Sequence, residues 1–241
     1  MLRLKALACK VMTREMNLLA GQSENLIHIQ WLKQALHLEP EQLRRAVQEY
    51  IDDTDRSLAD EPYDAILLGY GLCSNGMAGI QARSVPLVVP RAHDCITLLL
   101  GSKERYRDLF QEKSGGIYWY STGWWENALL PSKDRYQRLY REYVEKYGED
   151  NADYLMEMEQ TWMKEYDQAI YIHWPQLHDA DYALRTRESA DFLNWQFRQV
   201  EGSPSLLQRL FQGDWDDRDF LVVPPGRKIR PTYDDKIIGL E

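Results

Sequence analysis

The sequence predicts an α/β fold, a Rossmann-like, mostly parallel sheet flanked by helices, and two observations in the strands plus one in the helices predict it. Residues 63–68 (YDAILL) and 85–89 (VPLVV) are short, nearly continuous apolar runs, the composition of strands covered on both faces. Each run ends in glycine or proline punctuation, GYGLCSNG after the first and Pro90-Arg91 after the second, as the loops from strand to helix do. Between such runs lie stretches with apolar residues at helical spacing, so strand and helix alternate along the chain.

In order, residues 3–9 (RLKALAC) read as the first strand, followed by a helix over 12–20 and a second strand over 25–30 (NLIHIQ). A helix over 39–59 opens at Glu39-Pro40 and carries Leu43, Val47 and Ile51 on one face. The two apolar strands follow, and Asp94 is an N-cap for a helix over 95–101 (CITLLLG). Residues 116–121 (GIYWYS) and 168–174 (QAIYIHW) give two more strands. The charged stretch 132–166 between them, with Tyr136, Leu139, Tyr140 and Tyr143 along one face, reads as a helical insertion. An amphipathic helix over 181–199, a short one over 204–212 and a last strand at 220–225 (FLVVPP) complete a single domain spanning 1–241.

Composition excludes several function classes. Hydrophobic residues make up 44% and charged residues 28%, which is globular rather than disordered. A net charge of −9 argues against a nucleic-acid partner. No apolar run approaches the roughly 20 residues that span a bilayer, and the opening MLRLKALACKVMTREMN turns polar too soon for a signal peptide. The expectation is a cytoplasmic protein without a membrane partner. Three cysteines in a reducing compartment do not form a disulfide framework.

Their positions carry more than their number. Cys9 closes the first strand, Cys73 lies in the loop after YDAILL, and Cys95 lies in the loop after 85–89. In open α/β sheets ligands bind beyond the carboxyl ends of the strands, so three loops deliver thiols to one edge. His93, two residues before Cys95, adds an imidazole. Cys9, Cys73, His93 and Cys95 are therefore the candidate metal ligands, with His37 a possible addition. Thiolate with imidazole suits zinc; the alternative is an iron–sulfur cluster on the thiolates, leaving one iron open. Asp94, besides capping the helix, would orient His93. Gly69 and Gly71 would bring backbone N–H groups to the ligand, and Arg91 would hold a carboxylate or phosphate. The spacing of GYGLCSNG is not that of a dinucleotide loop. Residues 118–125 (YWYSTGWW) serve either as core or as a wall for a flat ligand, and the acidic run 214–217 as a solvated loop.

LLGYGLC (67–73), VPRAHDCITLLLGSKERY (89–106) and GIYWYSTGWWE (116–126) resemble the signatures of an uncharacterised bacterial and archaeal domain-of-unknown-function family. GYGLC and RAHDC are the specific parts. Some members are encoded near corrinoid-dependent methyltransferases. The resemblance implies a setting in one-carbon or corrinoid-linked methyl metabolism, with a small-molecule substrate or a corrinoid or methyltransferase protein as partner. The His-x-Cys with a remote cysteine is also similar, in chemistry rather than in fold, to the zinc ligands of enzymes that alkylate thiols. The sequence thus predicts a metal-binding protein, either a metal-dependent transferase or accessory factor, or a non-catalytic carrier of metal or corrinoid.

Overall fold

A computed structural model of the chain describes residues 1–56, 62–111 and 115–241. The last three positions expected of the helix over 39–59 lie outside the described residues. The chain divides into two compact units, one formed by residues 1–107 with 202–241 and the other by residues 108–201.

The first unit is built on β1 (Arg3–Cys9), α1 (Thr13–Gly21), β2 (Leu26–Leu32), α2 (Pro40–Arg56), β3 (Ala65–Gly69), β4 (Leu87–Pro90) and α3 (Cys95–Leu100). Next comes α4 (Lys103–Gln111), which runs across the division between the units. The mixed α/β class and the mostly parallel sheet are as the sequence predicts. β2, β1, β3 and β4 lie side by side in that order and all run parallel. β3 and β4 are buried at every position, which is why their sequences show no alternation. Right-handed connections on the two sides of β1 place α1 and α2 on opposite faces of the sheet. α2 turns Leu43, Val47 and Ile51 into the core, on the face read from their spacing.

The second unit has its own sheet. β5 (Gly116–Tyr120) is followed by α5 (Thr122–Asn127), the helical pair α6 (Lys133–Tyr147) and α7 (Glu149–Glu159), and β6 (Tyr166–His173). α8 (Ala180–Leu193) and β7 (Gln196–Glu201) follow, and β5, β6 and β7 form a three-stranded parallel sheet in that order. The expected helix over 181–199 is therefore corrected: it stops at Leu193, where Asn194 takes a left-handed conformation (φ 56°) and donates its N–H to the Ala190 carbonyl. The expected helical stretch 132–166 is occupied mainly by α6 and α7, inside this unit. The aromatic segment 118–125 is core rather than a ligand wall. Tyr118 packs against Tyr120, Trp162, Tyr166 and Trp195 with ring centroids 5.2–5.9 Å apart, and Tyr120, Tyr171 and Trp195 are buried in the same cluster.

The chain then returns to the first unit with α9 (Ser205–Gln212), β8 (Phe220–Val223), β9 (Ile229–Pro231) and β10 (Ile238–Leu240). β8 joins the five-stranded sheet antiparallel to β4, and β9 pairs with β10 as a separate ribbon. Among the described residues no helix is long and apolar enough to cross a membrane.

Candidate functional site

β2, β1, β3 and β4 end at one edge of the larger sheet, and the strand order reverses at β1. The chain steps from β1 outward to β2 and returns to lay β3 on the other side of β1. Loops leaving β1 and β3 therefore start at a switch point, the kind of place where α/β sheets take ligands in a crevice. Cys9 is the last residue of β1, and Tyr70 to Cys73 follow directly on β3. Cys95 is the first residue of α3, reached from β4 through Arg91-Ala92-His93-Asp94.

The loops after β3 and β4 are joined backbone to backbone. Leu72 donates its N–H to the Ala92 carbonyl and Cys73 donates to the His93 carbonyl, both at 2.8 Å. Gly71 permits this approach, since a Cβ there would stand 2.5 Å from the Asp94 nitrogen and 2.7 Å from the Ala92 oxygen. Gly69 plays the same part against β1, where a Cβ would come within 2.8 Å of the Ala8 Cβ. Both glycines thus serve the packing of chain on chain around the site. Past this junction Cys73, Ser74 and Asn75 all adopt left-handed backbone, at φ 46°, 54° and 65°. For non-glycine residues that conformation costs about 1–2 kcal/mol each. The turn is held by Gly76 N–H on the Cys73 carbonyl at 2.9 Å and by the Arg44 guanidinium on the Asn75 carbonyl at 3.0 Å. A strained turn kept in place this way is a feature of ligand sites.

The three thiols share one electrostatic environment. Cys9 and Cys73 are buried and Cys95 keeps slight exposure. Burial pushes up the Cys9 thiol, and pushes Cys73 up to about 12 with help from the Asp94 carboxylate and Cys9. Cys95 is raised well above the ordinary thiol range, by burial first and then by Asp94, Cys73 and Cys9. The Tyr70 phenol is likewise raised by burial and then by Cys9, Cys73 and Cys95. Tyr70 is 4% exposed, and its hydroxyl has no hydrogen-bond partner among the described residues. An unsatisfied buried hydroxyl is costly, and here a strand end, a loop and a helix start each supply a thiol whose charge would act on it.

Asp94 links the surrounding groups. Its Oδ1 accepts from the Ile96 and Thr97 N–H groups at 3.0 and 3.2 Å, which is the predicted N-cap, and its Oδ2 accepts from the Tyr106 hydroxyl at 3.0 Å. Burial raises this carboxyl, and hydrogen bonds from Thr97, Tyr106 and Ile96 pull it back. His93 is exposed and stacks on Tyr106, centroids 6.1 Å apart. His37, on the 3-10 turn after β2, is lowered by partial burial and supported by the nearby Asp94 charge, so it too belongs to this edge. Among the described residues no group of three or more His, Cys, Asp or Glu is already arranged to hold a metal ion.

Arg91 points elsewhere. It is buried, and all three guanidinium nitrogens donate to the C-terminal segment: Nε to the Asp217 carbonyl at 2.9 Å, Nη2 to the Asp217 carboxylate at 2.6 Å, and Nη1 to the Lys236 and Ile238 carbonyls. It clamps that segment instead of facing the crevice. The acidic run is structural as well: Asp214, Asp216 and Asp219 converge on Arg209. Tyr70 is the site residue that the sequence reading passed over. Its signal is a bulky tyrosine set between two glycines at the end of an apolar strand, where a small loop residue would serve a plain turn.

No curated protein and no solved structure matches the chain. A family model described as "Protein of unknown function (DUF1638)" matches residues 31–211, a span that includes GYGLC and RAHDC and begins after Cys9. With three quarters of its length inside that match, the chain belongs to the DUF1638 family.

Proposed function

We propose that the chain binds a soft metal ion through Cys9, Cys73 and Cys95 at the β1/β3 switch point, with zinc as the resident ion. What supports this reading is that Cys9 ends β1, Cys73 follows β3 and Cys95 opens the helix after β4, and that all three act electrostatically on the buried Tyr70 hydroxyl, which has no hydrogen-bond partner among the described residues. Kept neutral by burial, the thiols are poor nucleophiles by themselves. A divalent cation reverses that balance, because coordination deprotonates thiols and offsets the charge they would otherwise bring into a buried place. The donor set fits: thiolates are soft ligands, and three of them leave a fourth position open on a tetrahedral ion. Bound there, zinc would supply Lewis acidity and hold a substrate thiol or oxygen as an anion.

The chain's own groups have defined parts. Tyr70, whose hydroxyl has no hydrogen-bond partner among the described residues, would donate its O–H to a ligand or to a thiolate. Asp94 keeps α3, and with it Cys95, in place. His93 and His37 stand at the outer rim, where His93 would close the fourth position or accept a proton from an arriving ligand. The setting that best suits such a site is one-carbon or corrinoid-linked methyl metabolism, as a transferase or as an accessory factor. That part of the proposal rests on the family resemblance of GYGLC and RAHDC.

The test is metal analysis of protein purified anaerobically from zinc- and iron-replete cells, with Cys9→Ala, Cys73→Ala, His93→Ala and Cys95→Ala beside the wild type. The expected result is about one zinc per colourless chain, lost in each cysteine variant and weakened in His93→Ala. Brown protein that loses its colour in the cysteine variants would instead assign an iron–sulfur cluster to the same three ligands. Metal content unchanged in all four variants overturns the site.

A further inference from the structure

At the carboxyl edge of the smaller sheet the second unit carries a different constellation. His173 is the last residue of β6, and Asp179 follows six residues later at the N-cap position of α8. The His173 Nδ1 and the Asp179 Oδ1 lie 2.7 Å apart. The other carboxylate oxygen accepts from the Tyr171 hydroxyl at 2.9 Å and from the Trp174 N–H at 3.3 Å. Behind them the Thr122 hydroxyl meets the Tyr171 hydroxyl at 2.9 Å, and all of Asp179, Tyr171 and Thr122 are buried. The His173 side chain alone reaches solvent, at 29% exposure.

Stability alone does not account for this arrangement. Asp is among the best N-cap residues, and a side-chain cap contributes about 1 kcal/mol. Yet the Asp179 side chain makes no cap hydrogen bond. It leaves the helix end and lies against imidazole, phenol and backbone N–H, a buried carboxylate satisfied by an organised set of donors. The arrangement also fixes the imidazole: with Nδ1–H held by the carboxylate, the lone pair is left on Nε2 of a side chain that is 29% exposed. An aspartate that fixes the tautomer and balances the imidazolium charge is the second half of a general acid–base pair.

We propose that His173 and Asp179 form a proton-transfer site for a ligand hydroxyl or a water molecule docked at the carboxyl end of β6. His173 Nε2 takes up the hydroxyl proton as the O–H bond breaks, Asp179 stabilises the resulting imidazolium, and the proton returns from Nε2 to the ligand or to solvent. His173 is the catalytic group. Asp179, Tyr171 and Thr122 are positioning residues.

The test uses diethyl pyrocarbonate on the whole protein, with peptide mapping to resolve each histidine, together with ¹⁵N NMR of the imidazoles. Attack by a free Nε2 on the reagent's carbonyl carbon releases ethyl carbonate, which decomposes to ethanol and carbon dioxide. His178, exposed and five residues away, is the internal reference. Access alone would make His178 react faster. The expected result is the reverse, with His173 modified about tenfold faster or more and its proton on Nδ1. Asp179→Asn should bring the two rates together while circular dichroism shows the fold retained. Wild-type His173 reacting no faster than His178, or carrying its proton on Nε2, overturns the proposal whether or not the variant folds. So does a folded Asp179→Asn protein with an unchanged rate.

Discussion

Gly71→Ala tests whether the loops after β3 and β4 are held together as the site requires. The added methyl would meet the Asp94 nitrogen at 2.5 Å, the Ala92 oxygen at 2.7 Å and the His93 carbonyl carbon at 2.8 Å. All three are backbone atoms, so no side-chain rotation relieves the overlap and the loops must part. Parting them breaks the Leu72–Ala92 and Cys73–His93 hydrogen bonds, each contributing about 1 kcal/mol. Overpacking adds about 1–3 kcal/mol, for a total of about 3–5 kcal/mol. At about 2–4 °C per kcal/mol for a protein of this size, the melting temperature should fall by roughly 6–20 °C. Differential scanning calorimetry and urea unfolding read the loss directly, and faster labelling of Cys73 by a thiol reagent reports the displaced loop. Gly21→Ala is the control. Among the described residues, nothing beyond its chain neighbours and its own helix backbone lies within 4 Å of its Cβ position, so its stability should stay within about 1 kcal/mol of wild type. If Gly71→Ala melts within about 2 °C of wild type, the junction is not the tight one described, and the location of Cys73 beside the His93-Asp94-Cys95 loop loses its support.

Two further outcomes follow from individual side chains. Tyr70→Phe removes a buried hydroxyl that has no partner among the described residues, so metal-free protein should gain about 1–3 kcal/mol in urea unfolding; a loss would mean that the hydroxyl has a stabilising partner after all. At Glu104 burial opposes the charge, but hydrogen bonds from the Ser102 hydroxyl at 2.8 Å and the Arg218 guanidinium at 3.2 Å hold the carboxyl down to about 2, against an ordinary 4.5. A depressed carboxyl stabilises the fold above its unfolded value and loses that contribution as pH falls from about 4.5 to about 2. The gap in unfolding free energy between wild type and Glu104→Gln should therefore close across that window, and a gap that stays constant through it would refute the assignment.

Much of the larger sheet is legible in the sequence because its strands are buried on both faces and written as unbroken apolar runs. β7 was hidden for the opposite reason. Most of its residues are exposed, and Trp195, Phe197 and Val200 continue the spacing of α8 closely enough to pass for more helix. The available signal was Asn194, a residue that tolerates left-handed backbone and so ends helices. Arg91 misled because a sequence shows a cation beside a loop but not the carbonyls of Lys236 and Ile238, far along the chain, that it serves.

The candidate site divides along the same line between local and non-local chemistry. Asp94 as an N-cap is a local fact, fixed by its place before CITLLL, and the structure bears it out. The placing of three cysteines at strand ends is nearly local, since it needs only the strand boundaries. What sets the three strand ends that carry or lead to them side by side is the order 2-1-3-4, which no single loop specifies. That order also explains why Tyr70 matters: it follows β3, the neighbour of β1, and its buried phenol is raised by Cys9, Cys73 and Cys95. The His173–Asp179 pair obeys the same logic on a smaller scale. A histidine ending a strand and an aspartate opening the next helix are ordinary residues in sequence, and their chemistry arises only when the βα connection folds the carboxylate back onto the ring instead of onto the helix end.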